Sequence, residues 1–102
     1  MRVIKPGRIH DFGRAFPDAK SSLNAWLKVA RKTSWQSLTD VRASYPKTDG
    51  VKVDSGRIVT VFNIGGNKYR MIIAMHYNTG KAYVLRFLSH AEYDKEYWKK
   101  QL

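Results

Sequence analysis

Residues 62–94 read FNIGGNKYRMIIAMHYNTGKAYVLRFLSHAEYD, and this stretch decides the fold. It holds three strand-like runs separated by two turns and followed by a helix start. The segment Ile64–Asn67 predicts a hairpin with a two-residue turn, because glycine accepts the positive φ that such turns require. The segment Tyr77–Lys81 predicts a three-residue loop in which Gly80 is left-handed and forms a G1 bulge.

Loop length sets the register of each hairpin, and the register decides which side chains share a face of the sheet. The second turn predicts an apolar face from three cross-strand pairs: Met75 with Tyr83, Ile73 with Leu85, and Met71 with Phe87. On the opposite face it predicts two further pairs: Arg70 with Leu88, and Ile72 with Arg86. The first turn adds Phe62 with Tyr69 and Val61 with Arg70. Asn63 and Lys68 are therefore expected beside Arg70 on the second face.

The third strand leads into a helix start. Ser89 and Glu92 match the capping box, with Ser89 as the N-cap and Glu92 at the third helical position. His90 then lies in the first turn, where the helix dipole favours a neutral imidazole and the binding of a phosphate. Tyr93 lies three residues later on the same helical face. Together with Arg70, these side chains predict a phosphodiester site.

Two separate blocks of this stretch carry a family resemblance. The block FNIGGNKYR (residues 62–70) is followed by a strand, a turn, a strand and the block SHAEYDK (residues 89–95). Both blocks, at this spacing, resemble the HigB family of bacterial toxins. The resemblance spans Val61–Lys95, and residues 1–60 are compatible with it in length and helical pattern.

The resemblance implies a RelE-like mRNA interferase of a type II toxin–antitoxin module. Such a protein is an endoribonuclease that cleaves mRNA, usually on the ribosome, and is silenced by its antitoxin. The implied partners are mRNA, the ribosome and a HigA-like helix-turn-helix antitoxin. The implied fold is α+β and RelE-like, with N-terminal helices on a small, mainly antiparallel sheet and a C-terminal helix.

Four residues are expected to be catalytic. Arg70 suits the scissile phosphate because its planar guanidinium binds phosphate oxygens in pairs, and the family has an arginine at the matching position. Arg86 either stabilises the same charge or binds a carboxylate of the antitoxin. His90 is the best proton carrier because histidine changes its charge near neutral pH. Tyr93 positions the phosphate or stacks on a base.

Three residues are expected to bind RNA, namely Asn63, Lys68 and Lys95. No cofactor and no metal are expected, since His10 and His76 have no second histidine or carboxylate at ligand spacing. The proposed chemistry is attack of the ribose 2′-hydroxyl on the adjacent phosphate, which needs a proton carrier and cations but no metal.

Chain length, hydrophobic content and the absence of cysteine exclude several classes of protein. The chain has 102 residues, enough for one domain over residues 1–102, and its 43% hydrophobic content argues against intrinsic disorder. It has no cysteine, so disulfides and thiolate metal sites are excluded. We expect a cytoplasmic protein, because no apolar run has the length of a signal peptide or a membrane span.

The net charge of +11 predicts a polyanionic partner. That charge is also consistent with a non-catalytic RNA- or DNA-binding module, which is the chief alternative to a nuclease. A toxin that acts by binding another protein is a third class. Binding alone gives no reason for His90 and Tyr93 to share a helix face beside Arg70.

The rest of the chain predicts the element order β-α-α-α-β-β-β-α, with helices on one face of the sheet and the other face partly open. Asp18 is expected to cap the second helix (Ala19–Lys32), and Ser34 the third, which ends at Tyr45. The other predicted elements are a strand at Arg2–Ile4, a helix from Pro6 to Phe16, strands near Arg57–Ile64, Tyr69–Tyr77 and Ala82–Leu88, and a last helix from His90 to about Lys100.

Overall fold

A computed structural model describes all of residues 1–102 and confirms the α+β class. One five-stranded sheet has the order β1-β5-β4-β3-β2. Its strands are β1 (Arg2–Ile4), β2 (Asp49–Lys52), β3 (Ile58–Ile64), β4 (Tyr69–His76) and β5 (Lys81–Ser89). The α-helices are α1 (Gly7–Ala15), α2 (Lys20–Lys32), α3 (Leu38–Ser44) and α4 (His90–Asp94). Two 3₁₀ helices cover Pro17–Ala19 and Tyr97–Gln101.

Helix α2 packs on one face of the sheet through an apolar stripe whose residues recur at the i, i+3, i+4, i+7 spacing of a helix. All four residues of the stripe are buried: Leu23, Trp26, Leu27 and Ala30. The indole of Trp26 meets the ring of Phe62 edge-on, with 5.2 Å between ring centroids. All three tryptophans are buried, so they are core residues rather than platforms on which RNA bases stack.

Strand β1 pairs with β5 in parallel. The other three strand pairings of the sheet are antiparallel, so the sheet is mixed. The N-terminal amino group holds β1 against α2 by donating to the carbonyl oxygens of Ala30 and Thr33. Strand β1 covers only the start of β5. Further along that edge, Arg8 Nη1 donates to the carbonyl oxygens of Val84 (3.0 Å) and Leu85 (3.2 Å).

The two helix caps predicted in the N-terminal half, Asp18 and Ser34, are both wrong. Asp18 caps nothing, because its carboxylate accepts hydrogen bonds from the Tyr69 hydroxyl at 2.8 and 3.0 Å. The third helix is capped by Ser37, whose Oγ accepts from the N–H of Asp40. The chain before it stays non-helical and buries Trp35 against the aromatic core, so the helix begins later than Ser34 predicts.

The first hairpin closes at Ile64 and Tyr69, so its loop has four residues, Gly65–Lys68, instead of the predicted two. Phe62 therefore pairs with Met71, and Asn63 pairs with Arg70. The predicted pairing is wrong by two positions. Because side chains alternate with a period of two, this shift leaves every side chain of β3 on its predicted face.

The second hairpin contains a bulge that the sequence analysis places wrongly. Gly80 is left-handed as predicted, with φ of 67°, but His76 pairs with Lys81 and the turn pairs are shifted by one residue. The ladder is interrupted between Ile72 and Ile73, and Leu85 is the extra residue on β5. Beyond the bulge the predicted register is correct: Ile72 with Arg86, Met71 with Phe87, and Arg70 with Leu88.

The second face of the sheet is partly covered by the C-terminus. The predicted helix to Lys100 is wrong, because α4 ends at Asp94 and Glu96 adopts a left-handed conformation (φ 62°) that no α-helix continues. The following 3₁₀ helix buries Trp98 in a small second core with Val53, Val59, Val61 and Ile72. No helix is both long and apolar enough to cross a membrane.

Candidate active site

Arg70 is the central residue of the second face. It lies on β4, the middle strand of the sheet, is only 8% exposed and donates three hydrogen bonds, two to Asn67 of the preceding loop and one to Tyr69. Nη2 donates to the side-chain oxygen of Asn67 at 2.8 Å, and Nη1 donates to the carbonyl oxygens of Asn67 (3.2 Å) and Tyr69 (3.1 Å). The four-residue loop of the first hairpin therefore orients the guanidinium.

None of the ion pairs in the structure involves Arg70. Its hydrogen-bond acceptors are two carbonyl oxygens and one amide oxygen, all of which are uncharged. A buried charge without an opposite charge is costly, so burial of arginine normally comes with a carboxylate or another anion. A guanidinium in this state can accept an anionic ligand.

Tyr93 supports Arg70 from above the sheet. The guanidinium carbon of Arg70 lies 5.7 Å from the centroid of the Tyr93 ring, and Trp98 stacks on Tyr93 with 5.2 Å between ring centroids. Burial raises the pKa of the Tyr93 phenol, and the charge of Asp49 raises it further, against the opposite effects of Lys99 and Arg70. The phenol is therefore protonated at neutral pH and available as a hydrogen-bond donor.

His90 is paired with a carboxylate one helical turn away. Its Nδ1 lies 2.8 Å from Oδ2 of Asp94, and the imidazole is 42% exposed. When Nδ1 carries a proton and donates to Asp94, Nε2 is left as the acceptor. The N–H of His90 also donates to the carbonyl oxygen of Lys68 at 2.9 Å, which ties the start of α4 to the first hairpin loop.

The N-cap of α4 is Ser89, as predicted, and it makes the serine half of the predicted capping box. The Oγ of Ser89 accepts a hydrogen bond from the N–H of Glu92 at 3.2 Å. Ser89 also pairs with Tyr69 in the sheet, directly beside Arg70. The cap thus begins the helix of His90 next to the strand of Arg70.

Arg86 lies on the same face as Arg70. It pairs with Ile72 while Arg70 pairs with Leu88, so the two arginines occupy diagonal positions, where neighbours are about 7–8 Å apart. Nη1 of Arg86 donates to the carbonyl oxygen of Leu85 at 2.8 Å, and no carboxylate pairs with it. Two guanidinium groups without acidic partners therefore share this face.

The three predicted RNA-binding residues lie in different places. Asn63 pairs with Arg70 across β3 and β4, as a member of the site. Lys68 does not join the second face, because its Nζ lies 3.4 Å from Oδ2 of Asp18, on the side where Tyr69 packs with the helices. Lys95 is exposed and lies 3.6 Å from Glu92, with no contact to Arg70.

Two residues of the site were missed by the sequence analysis. Asp94 follows His90 by four residues, and this spacing on a helix is a signal that could have revealed the pair. Asn67 was assigned only a turn role, although its side chain holds Arg70. No three His, Cys, Asp or Glu side chains lie close enough together to hold a metal ion.

Comparison with known proteins identifies the class. Residues 19–96 match the family model HigB_toxin, which is described as the RelE-like toxic component of a toxin–antitoxin system. That class agrees with an α+β fold in which N-terminal helices pack on a mainly antiparallel sheet. The match covers most of the chain, and the chain belongs to the HigB toxin family.

Individual relatives agree with this assignment. The chain is 27% identical over 94 residues to the mRNA interferase toxin HigB of Escherichia coli K12, covering 92% of this chain and 88% of that protein. It is 25% identical over 95 residues to the mRNA interferase HigB of Escherichia coli O6:H1, covering 93% and 90%. The mRNA interferase HigB of Shigella flexneri is similar to the same extent as the K12 protein.

Proposed function

We propose that this toxin is an endoribonuclease that cleaves mRNA at the site formed by Arg70, Arg86, His90 and Tyr93. The observation that carries the proposal is the state of Arg70, a guanidinium that is 8% exposed and has no carboxylate partner. A phosphodiester supplies the missing negative charge and accepts paired hydrogen bonds from the planar fork. The names of the relatives, all mRNA interferases, support the same substrate class.

The proposed reaction is a transfer within the RNA chain. The ribose 2′-oxygen loses its proton and attacks the neighbouring phosphorus, and the bond from phosphorus to the 5′-oxygen breaks as that oxygen takes up a proton. The products are a 2′,3′-cyclic phosphate and a free 5′-hydroxyl. No metal is required, because the protein supplies both cations and a proton carrier.

His90 acts as the proton carrier in this scheme. The contact of its Nδ1 with Asp94 orients the imidazole and leaves Nε2 free to take up or release the proton. Arg70 and Arg86 stabilise the negative charge that develops on the phosphate oxygens. Tyr93 holds Arg70 by stacking and can donate its phenolic proton in a hydrogen bond to the phosphate.

The partners follow from the same charge distribution. The net charge of +11 attracts RNA without regard to its sequence, and Asn63 and Lys95 are proposed as contacts to the strand, whereas Lys68 is held by Asp18 away from the site. The site holds only one strong proton carrier, His90. We therefore propose that the ribosome helps by positioning the mRNA for cleavage, and that the toxin acts in the cytoplasm. A HigA-like helix-turn-helix antitoxin, covering the cationic surface, is proposed to silence it.

Expression of an Arg70→Ala variant in bacteria tests the proposal. We expect the variant to fold and to lose growth inhibition and mRNA cleavage, because no other guanidinium occupies its position. Arg57→Ala is the matched control, since Arg57 is exposed and its side chain makes no hydrogen bond or ion pair. An Arg70→Ala toxin as active as the wild type would remove Arg70 from the site. Binding of RNA without any cleavage would favour the non-catalytic module instead.

A further inference from the structure

A pocket of about 260 Å³ lies between β3 and the loop that joins α3 to β2, and we name it the β3 pocket. It is lined by Tyr45, Pro46, Lys47, Thr48 and Asn63. Its volume is below the roughly 300–1,000 Å³ of pockets that hold drug-sized ligands. The space suits a single small ring system.

The pocket contains polar groups that the protein leaves without partners. Thr48 is 1% exposed, and its Oγ1 has no hydrogen-bond partner. Asn63 is half-buried, and its side-chain amide also makes no hydrogen bond within the protein. Leaving a buried hydroxyl unpaired is unfavourable, and in native structures such groups are rare. The amide of Asn63 offers a donor and an acceptor side by side.

The pocket also has a flat apolar wall and a cation. Tyr45 packs its ring against Phe62 at 5.6 Å between centroids, which fixes its orientation, and Pro46 follows it directly. Burial raises the pKa of the Tyr45 phenol, so its hydroxyl keeps its proton at neutral pH. Lys47 is exposed at the mouth of the pocket, where a phosphate of a bound strand can approach.

The pocket lies next to the proposed catalytic arginine. Asn63 is the direct cross-strand partner of Arg70, and the two residues lie on adjacent strands, about 4.8 Å apart in the sheet. One nucleotide that places its phosphate on Arg70 therefore has its base within reach of Asn63.

We infer that the β3 pocket receives one unstacked nucleobase of the RNA strand whose phosphate lies on Arg70. Single-stranded RNA is recognised in this way, with bases placed against aromatic rings and hydrogen-bonded along their edges. Asn63 and Thr48 bind the base edge, and the pocket makes cleavage depend on which base occupies it. The inference deepens the proposed function and rests on it for the identity of the strand.

Titration of the purified, isotope-labelled chain with each of the four ribonucleoside 3′-monophosphates tests the pocket without relying on cleavage. We expect the backbone amide of Thr48 and the side-chain amide of Asn63 to shift in NMR spectra, with different affinities for different bases. Asn63→Ala and Thr48→Val should each weaken binding of the preferred nucleotide by roughly two- to tenfold, the effect of one lost hydrogen bond. Asn24→Ala, in a separate pocket between α1 and α2, is the matched control and should leave binding unchanged.

Shifts confined to Arg70 and Tyr93, with equal affinity for all four nucleotides, would overturn the inference by showing a phosphate site without a base subsite. Equal binding by wild type and Asn63→Ala would do the same. A parallel experiment maps the cuts in an mRNA. If RNA is cut with a base preference that Asn63→Ala and Thr48→Val retain, the pocket inference fails and the nuclease stands. If no RNA is cut but the titration gives the expected shifts, the result supports base binding in the pocket and contradicts the proposed nuclease activity.

Discussion

The guanidinium of Arg70 lies over the ring of Tyr93, 5.7 Å from its centroid, although the two residues belong to different elements of the chain. Trp98 stacks on the same ring, and its Nε1 donates to the carbonyl oxygen of Tyr93 at 3.0 Å. The C-terminal 3₁₀ helix thereby fixes the tyrosine, and the tyrosine helps to fix the arginine. The position of the proposed catalytic cation depends on residues at the end of the chain.

Two substitutions of Tyr93 separate its stacking role from its hydroxyl. Tyr93→Phe keeps the ring against Arg70 and should lower the cleavage rate by less than about tenfold. Tyr93→Ala removes the ring, and we expect a loss of roughly 10²-fold, because small displacements of a positioning group cost that much. Cleavage rates of both variants on the same RNA show whether Tyr93 acts through its ring or through its hydroxyl. If Tyr93→Phe is as inactive as Tyr93→Ala, the phenol takes part in the chemistry.

The pair of His90 and Asp94 predicts a graded loss of activity. His90→Ala should reduce cleavage by about 10²-fold or more, as expected for loss of a general acid or base. Asp94→Asn should cost about tenfold, because the exposed pair orients the imidazole less strictly than a buried one. Asp11→Asn removes a carboxylate from a different exposed pair, with Arg14, and is the control. An Asp94→Asn variant with unchanged cleavage would show that the pair has no catalytic role.

The contact between Asp18 and Tyr69 predicts a pH-dependent contribution to stability. The hydrogen bond from the Tyr69 hydroxyl holds the pKa of Asp18 below its ordinary value of 3.8, and Lys68 acts in the same direction. Because the folded-state pKa is the lower one, the stabilisation is present above about pH 4 and is lost as the pH falls through the folded pKa. Asp18→Asn should therefore lower the free energy of unfolding at pH 6.

Denaturant unfolding at several pH values between 6 and 3 measures this effect. The difference between wild type and Asp18→Asn should shrink as the pH falls toward 3. Asp54→Asn is the control, because Asp54 is an exposed carboxylate whose side chain has no partner. A difference that stays constant over the whole range would mean that the carboxylate charge of Asp18 does not stabilise the fold.

The excess of positive charge predicts the chemistry of the antitoxin contact. A net charge of +11 leaves a cationic surface, and an acidic or amphipathic segment is the partner that complements it. We expect the toxin alone to arrest growth and the complex with its antitoxin to be inactive. The expected contact covers either Lys28, Arg31 and Lys32 on the outside of α2, or the site around Arg70, Arg86 and His90.

Charge reversal distinguishes these two surfaces. Replacing Lys28, Arg31 and Lys32 together by glutamate should weaken the complex without reducing the toxicity of the free protein, if the antitoxin binds α2. If the complex is unaffected, the contact lies over the site, and Arg86→Glu should weaken it instead. Normal growth with intact mRNA at high levels of the folded, free protein would contradict both the antitoxin and the nuclease.

Local patterns in the sequence were enough to predict several parts of this molecule. The α2 stripe at Leu23, Trp26, Leu27 and Ala30 follows the helical period, and such a stripe predicts the face of the helix that packs against the core. The cap at Ser89 and the left-handed Gly80 are each decided by a few neighbouring residues. These features depend on local backbone conformation, which side chains a few positions away determine. The site residues on α4 were therefore placed correctly beside the end of β5.

Only the tertiary structure decided the features that depend on distant partners. The bulge at Leu85 lies where Arg8, far away in the chain, donates to the carbonyl oxygens of β5, and nothing near Leu85 in the sequence signals it. Lys68 turns to Asp18 instead of the site for the same reason. The sequence alone determined the helical stripe, the glycine turns and the cap, because short-range sterics and hydrogen bonds favour one conformation there. Register, bulge and ion pairing were decided by tertiary structure, because alternatives of similar local energy differ only in the long-range contacts they make.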